Sequence, residues 1–212
     1  MSGPRPATPP GRAVLEGRYA RIEPLGPSHA ADLHAAVEPE RFTYLQQAPA
    51  DASELARWVD DAMGSTERLY HAVIDRATGR AEGRFAFMGI VPENGVIEFG
   101  AVYWGPRIAR TRIATEALYL SARHVFETLG YRRFEWKCNN ANEPSKRAAE
   151  RFGFTYEGLF RQHMIFRGEN RDTAWYSMLD SEWPTRKAGF ERWLEEANFD
   201  ADGNQKTPLR VS

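Results

Sequence analysis

The sequence predicts a single α/β domain: a mixed, mostly antiparallel, twisted sheet of about seven strands with helices on both faces. Three observations carry that prediction. The apolar periodicity runs strand, helix, helix, three strands in succession, then strand–helix alternation and a closing hairpin; consecutive strands followed by alternation imply a sheet of mixed direction. The chain has 212 residues and is 42 % hydrophobic, enough to bury a substantial core without staples, and its one cysteine, Cys138, excludes an intrachain disulfide. Between residues 14 and 198 no stretch is long or polar enough to act as a linker, and no internal repeat is present.

Taken in order, Tyr19–Pro24 alternates and predicts the first strand, with Ile22 inward. Pro27-Ser28-His29 opens a helix carrying Ala31, Leu33, Ala35 and Val37. Asp51 or Ser53 caps the next helix, whose apolar face holds Leu55, Trp58, Val59 and Met63. Leu69–Asp75 and Ala81–Val91 are strands around Thr78-Gly79, and Glu93-Asn94-Gly95 is a hairpin turn into the strand Val96–Trp104. Ala114–Leu129 places Leu118, Ala122, Val125, Phe126 and Leu129 at helical spacing, with Gly130 in the stop position. Arg133–Asn139 is a short strand, and Asn142–Phe152 is a helix stopped by Gly153. Thr155–Phe166 and Thr173–Leu179 are strands around Gly168-Glu169-Asn170, and Asp180–Glu196 is a helix with Trp183, Phe190, Trp193 and Leu194 apolar.

Residues 1–13 hold four prolines and little apolar content and predict a disordered leader; residues 199–212 predict a polar tail. The leader has no apolar core segment, so no secretory signal is predicted, and no apolar run approaches the length that crosses a bilayer; the cytoplasm is the expected compartment. With 28 basic and 29 acidic residues the net charge is −1, which removes the electrostatic basis for nonspecific nucleic-acid binding. Neither a nucleic acid nor a membrane is an expected partner, and no metal is invoked. Cys138 sits in an apolar run and suits a buried small hydrophobe rather than a nucleophile. Monomer and homodimer both stay open, because the Trp183/Phe190/Trp193 helix can cover its own sheet or a partner.

Two segments carry candidate chemistry. The first is a strand, a loop with Gly105, Pro106, Arg107, Arg110 and Arg112, and a helix beginning near Thr111 to Thr115. A helix N-terminus offers free backbone N–H groups and partial positive charge, and arginines beside it add charge-assisted contacts, so the segment suits a phosphate. The same residues also suit a solvated basic loop. The second is Asn142-Glu143-Pro144-Ser145, which taken alone describes a well-capped helix.

Together they form a larger pattern: Arg110-Thr111-Arg112-Ile113-Ala114-Thr115-Glu116-Ala117, then Leu129-Gly130-Tyr131, Asn142-x-x-Ser145, Arg151-Phe152-Gly153-Phe154 and Glu157-Gly158, with Gly168-Glu169-Asn170-Arg171-Asp172 at the last turn. In order and spacing this resembles the GNAT acetyltransferases, and most nearly their RimJ/RimL branch, over roughly Tyr19 to Trp183. The resemblance implies acetyl-CoA as cofactor. It implies that Val96–Trp104 bulges and splays from Arg133–Asn139, that pantetheine lies in the gap along Val102, Tyr103 and Trp104, and that pyrophosphate sits on the loop and helix start at Arg107, Arg110, Thr111, Arg112, Ile113, Ala114 and Thr115. It also implies cofactor contacts from Asn142 and Ser145, and a backbone N–H near Val102 or Tyr103 that polarises the thioester carbonyl. Two positions depart from the family pattern. Aligned on Ala114, the Gln/Arg of the phosphate loop is Ala109 and its glycine is Arg112. The tyrosine that protonates the departing thiolate in many members is Ala149, leaving Ser145 as the implied thiolate partner.

An amine must lose a proton to attack a thioester, so a positioned carboxylate or histidine helps. Glu98 lies mid-strand in Val-Ile-Glu-Phe-Gly-Ala-Val-Tyr, where burying a carboxylate is costly and often functional; an outward-facing strand residue is the other reading. His163 is a second candidate base. The acceptor-pocket candidates are Phe87, Trp104, Phe160 and His163, with Phe85, Tyr156 and Arg161 beside them. The expected reaction is direct attack of a primary amine, a peptide N-terminus or a small amine, on acetyl-CoA in a ternary complex, with Glu98 and Ser145 catalytic. An acceptor of the aminoacyl-nucleotide (microcin-like) type, held in an aromatic sandwich using Trp104 or Phe160, is a second expectation. A non-catalytic CoA-binding module is the third.

Overall fold

The computed structural model describes residues 6–45 and 48–211. Among the described residues, eight strands form one sheet: β1 (Leu15–Glu16), β2 (Ala20–Pro24), β3 (Arg68–Asp75), β4 (Arg80–Val91), β5 (Val96–Trp104), β6 (Arg133–Asn139), β7 (Thr155–Phe166) and β8 (Glu169–Leu179), in spatial order β1-β2-β3-β4-β5-β6-β8-β7. Every neighbouring pair is antiparallel except β5 and β6, the step that spans the long helix. The eighth strand is the two-residue β1, too short to leave a periodic signal. Among the described residues, five α-helices cover the sheet: α1 (Ala30–Ala35), α2 (Ala52–Met63), α3 (Arg112–Arg123), α4 (Glu143–Arg151) and α5 (Trp183–Leu194). α3 runs on through a π-helical turn, His124–Thr128, and ends at Gly130 with φ +73.

Strand alternation divides the side chains between two faces. On one, Phe85, Phe87, Ile97, Phe99, Phe134, Trp136, Ala174, Tyr176 and Met178 pack against α3, α4 and α5. The Phe85 and Phe99 rings stack at 4.4 Å, and Phe99 stacks in turn on Trp136 at 5.7 Å. On the other face, Ala72, Ile74 and Ala81 meet Leu33, Leu55, Val59 and Ala62 of α1 and α2. This second core reaches only the β2–β4 end. Beyond it, β5 and β6 carry Glu98, Glu135 and Lys137 on the cleft side of the sheet, outside that second core.

The termini differ from the leader and tail that their composition predicts. Residues 1–5 lie outside the described residues, but Ala7 is buried, its N–H donates to the Pro92 carbonyl at 2.9 Å, and the Thr8 N–H donates to the Leu129 carbonyl at 2.8 Å. At the other end Phe199 and Val211 join the main core, and Arg186 donates to the Val211 carbonyl at 2.8 Å. Prolines suit an extended segment laid along a surface, so their number does not prevent docking.

One buried carboxylate fastens the sheet to α3. Glu116 is 4 % exposed and accepts the backbone N–H groups of Arg18, Tyr19 and Ala20 at 2.8, 2.6 and 2.6 Å. Glu116→Ala leaves these donors without an acceptor, and the expected loss is about 3 kcal/mol or more in urea unfolding. Glu116→Gln, which keeps one acceptor oxygen, falls in between. A loss below about 1 kcal/mol for the alanine variant would show that solvent satisfies the three N–H groups.

Candidate active site

The sheet opens at its centre. β5 and β6 pair in parallel only at Val96–Arg133, Ile97–Phe134 and Glu98–Glu135. Past Glu98 the strands part, and β5 bulges: Gly100 still opposes Ala86 of β4, but the next pair is Tyr103 with Arg84. Ala101 takes φ +50, a left-handed conformation that is strained for a residue with a Cβ. The extra residue shifts the alternation, so that Ile97 and Phe99 face the α3 core before the bulge and Val102 and Trp104 face it afterwards. Arg84 holds the bulge from the opposite face, its Nη1 donating to the Ala101 carbonyl at 2.9 Å. The result is a slot through the sheet, edged by backbone groups that β6 does not pair.

At one end of the slot lies the start of α3. Thr111 is the N-cap, its Oγ1 accepting the Ile113 N–H at 3.2 Å. The Thr111 carbonyl accepts the Thr115 N–H, while those of Arg110, Arg112 and Ala114 have no acceptor among the described residues. The left-handed residue of this loop is Arg110, with φ +65, whereas Arg112 is already helical. Arginine is therefore accommodated at position 112 because the turn is made two residues earlier. The three arginines are not equivalent. Arg107 donates to the buried Glu82 carboxylate at 3.0 Å, and Arg112 stacks over Tyr19 at 4.3 Å and Phe199 at 5.2 Å. Both guanidinium groups thus have partners within the protein, and Arg107 remains largely exposed. Arg110 is exposed and unpaired among the described residues.

On the same side, Asn142 caps α4, its Oδ1 accepting the Ser145 N–H at 3.1 Å. The Ser145 Oγ accepts the Trp136 indole N–H at 3.0 Å, which leaves the hydroxyl proton available to a further acceptor. Glu98 lies on the opposite face, 6 % exposed. Its Oε2 accepts from Lys137 Nζ at 3.0 Å, and Lys137 also bonds Glu135 at 2.7 Å and lies 4.1 Å over the Trp175 ring. Burial pushes the Glu98 carboxyl above its usual range, against the pull of Lys137. The other oxygen, Oε1, points at Gly100, where a Cβ would stand 3.1 Å from it and 2.5 Å from the Met88 sulfur. Glycine at that position leaves room for the Met88 side chain and for Oε1 side by side.

Of the expected acceptor residues, Phe160 and His163 lie on the Glu98 face at the exposed strand β7. Phe160 stacks on Trp175 at 4.4 Å, and His163 Nδ1 bonds the Thr173 hydroxyl at 3.0 Å. Phe87 does not line this cleft: it is 1 % exposed within the aromatic core, because its strand phase turns it toward α3. Trp104 packs against that core too, so it and Phe160 stand on opposite faces of the sheet. The Tyr103 ring is structural, donating to the Ala36 carbonyl at 2.7 Å. Lys137, Trp175 and Arg84 escaped the reading of the sequence, although the alternation of Phe134-Glu135-Trp136-Lys137-Cys138 and of Glu82-Gly83-Arg84-Phe85 already places each charge on one shared face.

The family model described as an acetyltransferase (GNAT) domain matches residues 20–155. Among solved structures, a GCN5-related N-acetyltransferase from Brucella melitensis is 53 % identical, with a TM-score of 0.94 over 96 % of this chain and 95 % of that one. A probable GNAT-family acetyltransferase from Chromobacterium violaceum is 34 % identical, with a TM-score of 0.80 over 87 % of this chain and 94 % of that one. An uncharacterized N-acetyltransferase, p20, from Bacillus licheniformis is 25 % identical over 69 % of this chain and 84 % of its own length.

The raised Glu98 carboxyl has a stability consequence. A group whose folded pKa is raised favours folding below its unfolded value of about 4.5 and loses that contribution as the pH rises through the folded value. Glu98→Gln removes the ionisation, so the variant should gain stability relative to the parent between pH 4 and pH 7, read from urea midpoints at both pH values. A relative loss over that interval would mean that the Lys137 pair outweighs burial.

Proposed function

The chain belongs to the GNAT family of acetyltransferases, and from that premise we propose that it moves the acetyl group of acetyl-CoA to a primary amine by direct attack in a ternary complex. The observation that carries this reading is the slot itself. Unpaired N–H groups at the start of α3 and the Ser145 hydroxyl lie on one side of the sheet, the buried Glu98 carboxylate lies on the other, and the parted strands connect them. A donor and an acceptor entering from opposite faces meet there.

The residues fit acetyl-CoA. The free edges of β5 and β6 suit the amide groups of pantetheine, as an added strand would. The N–H groups of Arg110, Arg112 and Ala114, with the Arg110 guanidinium, suit a pyrophosphate. A backbone N–H near Val102 or Tyr103 would stabilise negative charge developing on the acyl oxygen. The attacking amine forms its bond to the acyl carbon as the carbon–sulfur bond breaks. Its proton passes to Glu98 Oε1, directly or through one water, and Ser145 donates its hydroxyl proton or a hydrogen bond to the sulfur. A peptide N-terminus in the manner of the RimJ/RimL branch and a small amine both meet these requirements.

Acetyl-CoA turnover over a panel of amines tests this. Glu98→Gln should lower kcat by about 100-fold, the lower end of a general-base contribution, and Ser145→Ala by about 10-fold. CoA should raise the melting temperature of the parent protein, and Arg110→Glu should weaken that shift. A panel without turnover, together with no thermal shift from CoA, would sink the reading.

A further inference from the structure

Three arginines on or beside the Glu98 face have no carboxylate within 4.0 Å among the described residues: Arg68, Arg84 and Arg171. Their cationic neighbours are matched, Lys137 by Glu98 and Glu135, and Arg133 by Glu135 and Glu157. Arg84 is 8 % exposed, a burial that holds its guanidinium below the usual arginine range, at about 10. One of its nitrogens holds the Ala101 carbonyl; Nε and Nη2 donate to nothing among the described residues. The Trp58 ring lies under the guanidinium at 4.2 Å, and Tyr70 stands between Arg84 and Arg68, 5.9 Å from the first and bonded through its hydroxyl to the second at 3.5 Å. Arg171 has a buried Nε without a partner.

A buried, unmatched cation is costly, and a fork with open donors binds a carboxylate or phosphate well. We propose that Arg84, seconded by Arg68, is an anion subsite for the acceptor, which is therefore a small amine that also carries a carboxylate or phosphate. The inference rests on the acetyl-transfer reading for what the anion is attached to. Register sets the scale. Ala86 opposes Gly100, beside which Glu98 Oε1 lies, and Arg84 is two residues along β4, about 6.6 Å away at strand spacing. The anion then lies a few bonds from the amine. Trp58 and Tyr70, both half-buried, wall that interval. An ordinary peptide N-terminus offers no anion at this distance.

The experiment compares matched acceptors: alanine with alaninamide for the carboxylate, phosphoethanolamine with ethanolamine for the phosphate, and a C-terminally amidated tripeptide for the peptide N-terminus. The anionic member of at least one pair should be favoured 10-fold or more in kcat/KM, chiefly through KM, and should exceed the tripeptide. Arg84→Met should reduce that preference to threefold or less. Because Arg84 also holds Ala101, Arg68→Met is the second variant; it leaves the bulge clamp intact and should weaken the preference at least threefold. Neutral acceptors performing as well as anionic ones, or a preference unchanged in both variants, would overturn the subsite. A readout without turnover separates the two readings: the preferred anionic amine should raise the melting temperature of the CoA-loaded parent and not of Arg84→Met. That shift without transfer to any acceptor would leave the subsite standing and overturn the transfer reading; neither shift nor preference would overturn the subsite.

Discussion

After Glu98 the backbones of β5 and β6 separate, and Ala101 is held at φ +50 beside the opening. The site depends on this local failure of pairing. A continuous ladder would satisfy the backbone groups of β5 and close the sheet; the bulge leaves them available and turns Val102 and Trp104 back to the core side. The strain at Ala101 is tolerated because its surroundings determine it from both faces. Val102 and Trp104 pack into the aromatic core, Tyr103 is tied to Ala36 and Glu38, and Arg84 takes the Ala101 carbonyl.

The charges around the opening follow from that geometry. Strand phase sends Glu98, Glu135 and Lys137 to the same face, where a second helical layer does not extend far enough to bury them in apolar surroundings. Lys137 lies between the two carboxylates and over the Trp175 ring, so it steadies Glu98 through one oxygen and leaves the other beside Gly100. A buried carboxyl kept partly desolvated, with one lone pair free, is a poised proton acceptor. Arg84 and Arg68, on β4 and β3, have no carboxylate within 4.0 Å among the described residues, which sets them apart from the matched cations Lys137 and Arg133.

Much of the fold was legible because its signals are local. Every helix and all strands longer than two residues follow from periodicity and from stops such as Gly130 and Gly153, whose φ values of +73 and +85 are ones that glycine adopts at little cost. The site was legible in part. Glu98 and the α3 start stand out in sequence, since a carboxylate in an apolar strand and arginines before a helix are unusual in themselves. The partners of Arg107 and Arg112 were not legible: Glu82 and Phe199 lie far along the chain, and only the tertiary fold brings them within reach. Phe87 was misassigned for a similar reason, because alternation fixes which residues share a face but not which face meets the cleft. Docking of the termini depends on Ala7, Phe199 and Val211, single apolar residues in polar stretches that composition averages away.

The central claim is that the unpaired edge of β5 and the start of α3 form one binding surface for CoA. Amide hydrogen exchange, resolved by residue with and without CoA, tests it most directly. The account predicts slowed exchange confined mainly to Val102, Tyr103 and Trp104 on β5 and to Arg110, Arg112 and Ala114 at the helix start. Unchanged exchange at both segments in CoA-saturated protein, or protection centred instead on the separate cleft between α3 and α5 lined by Arg18, Arg123 and Glu191, would contradict it.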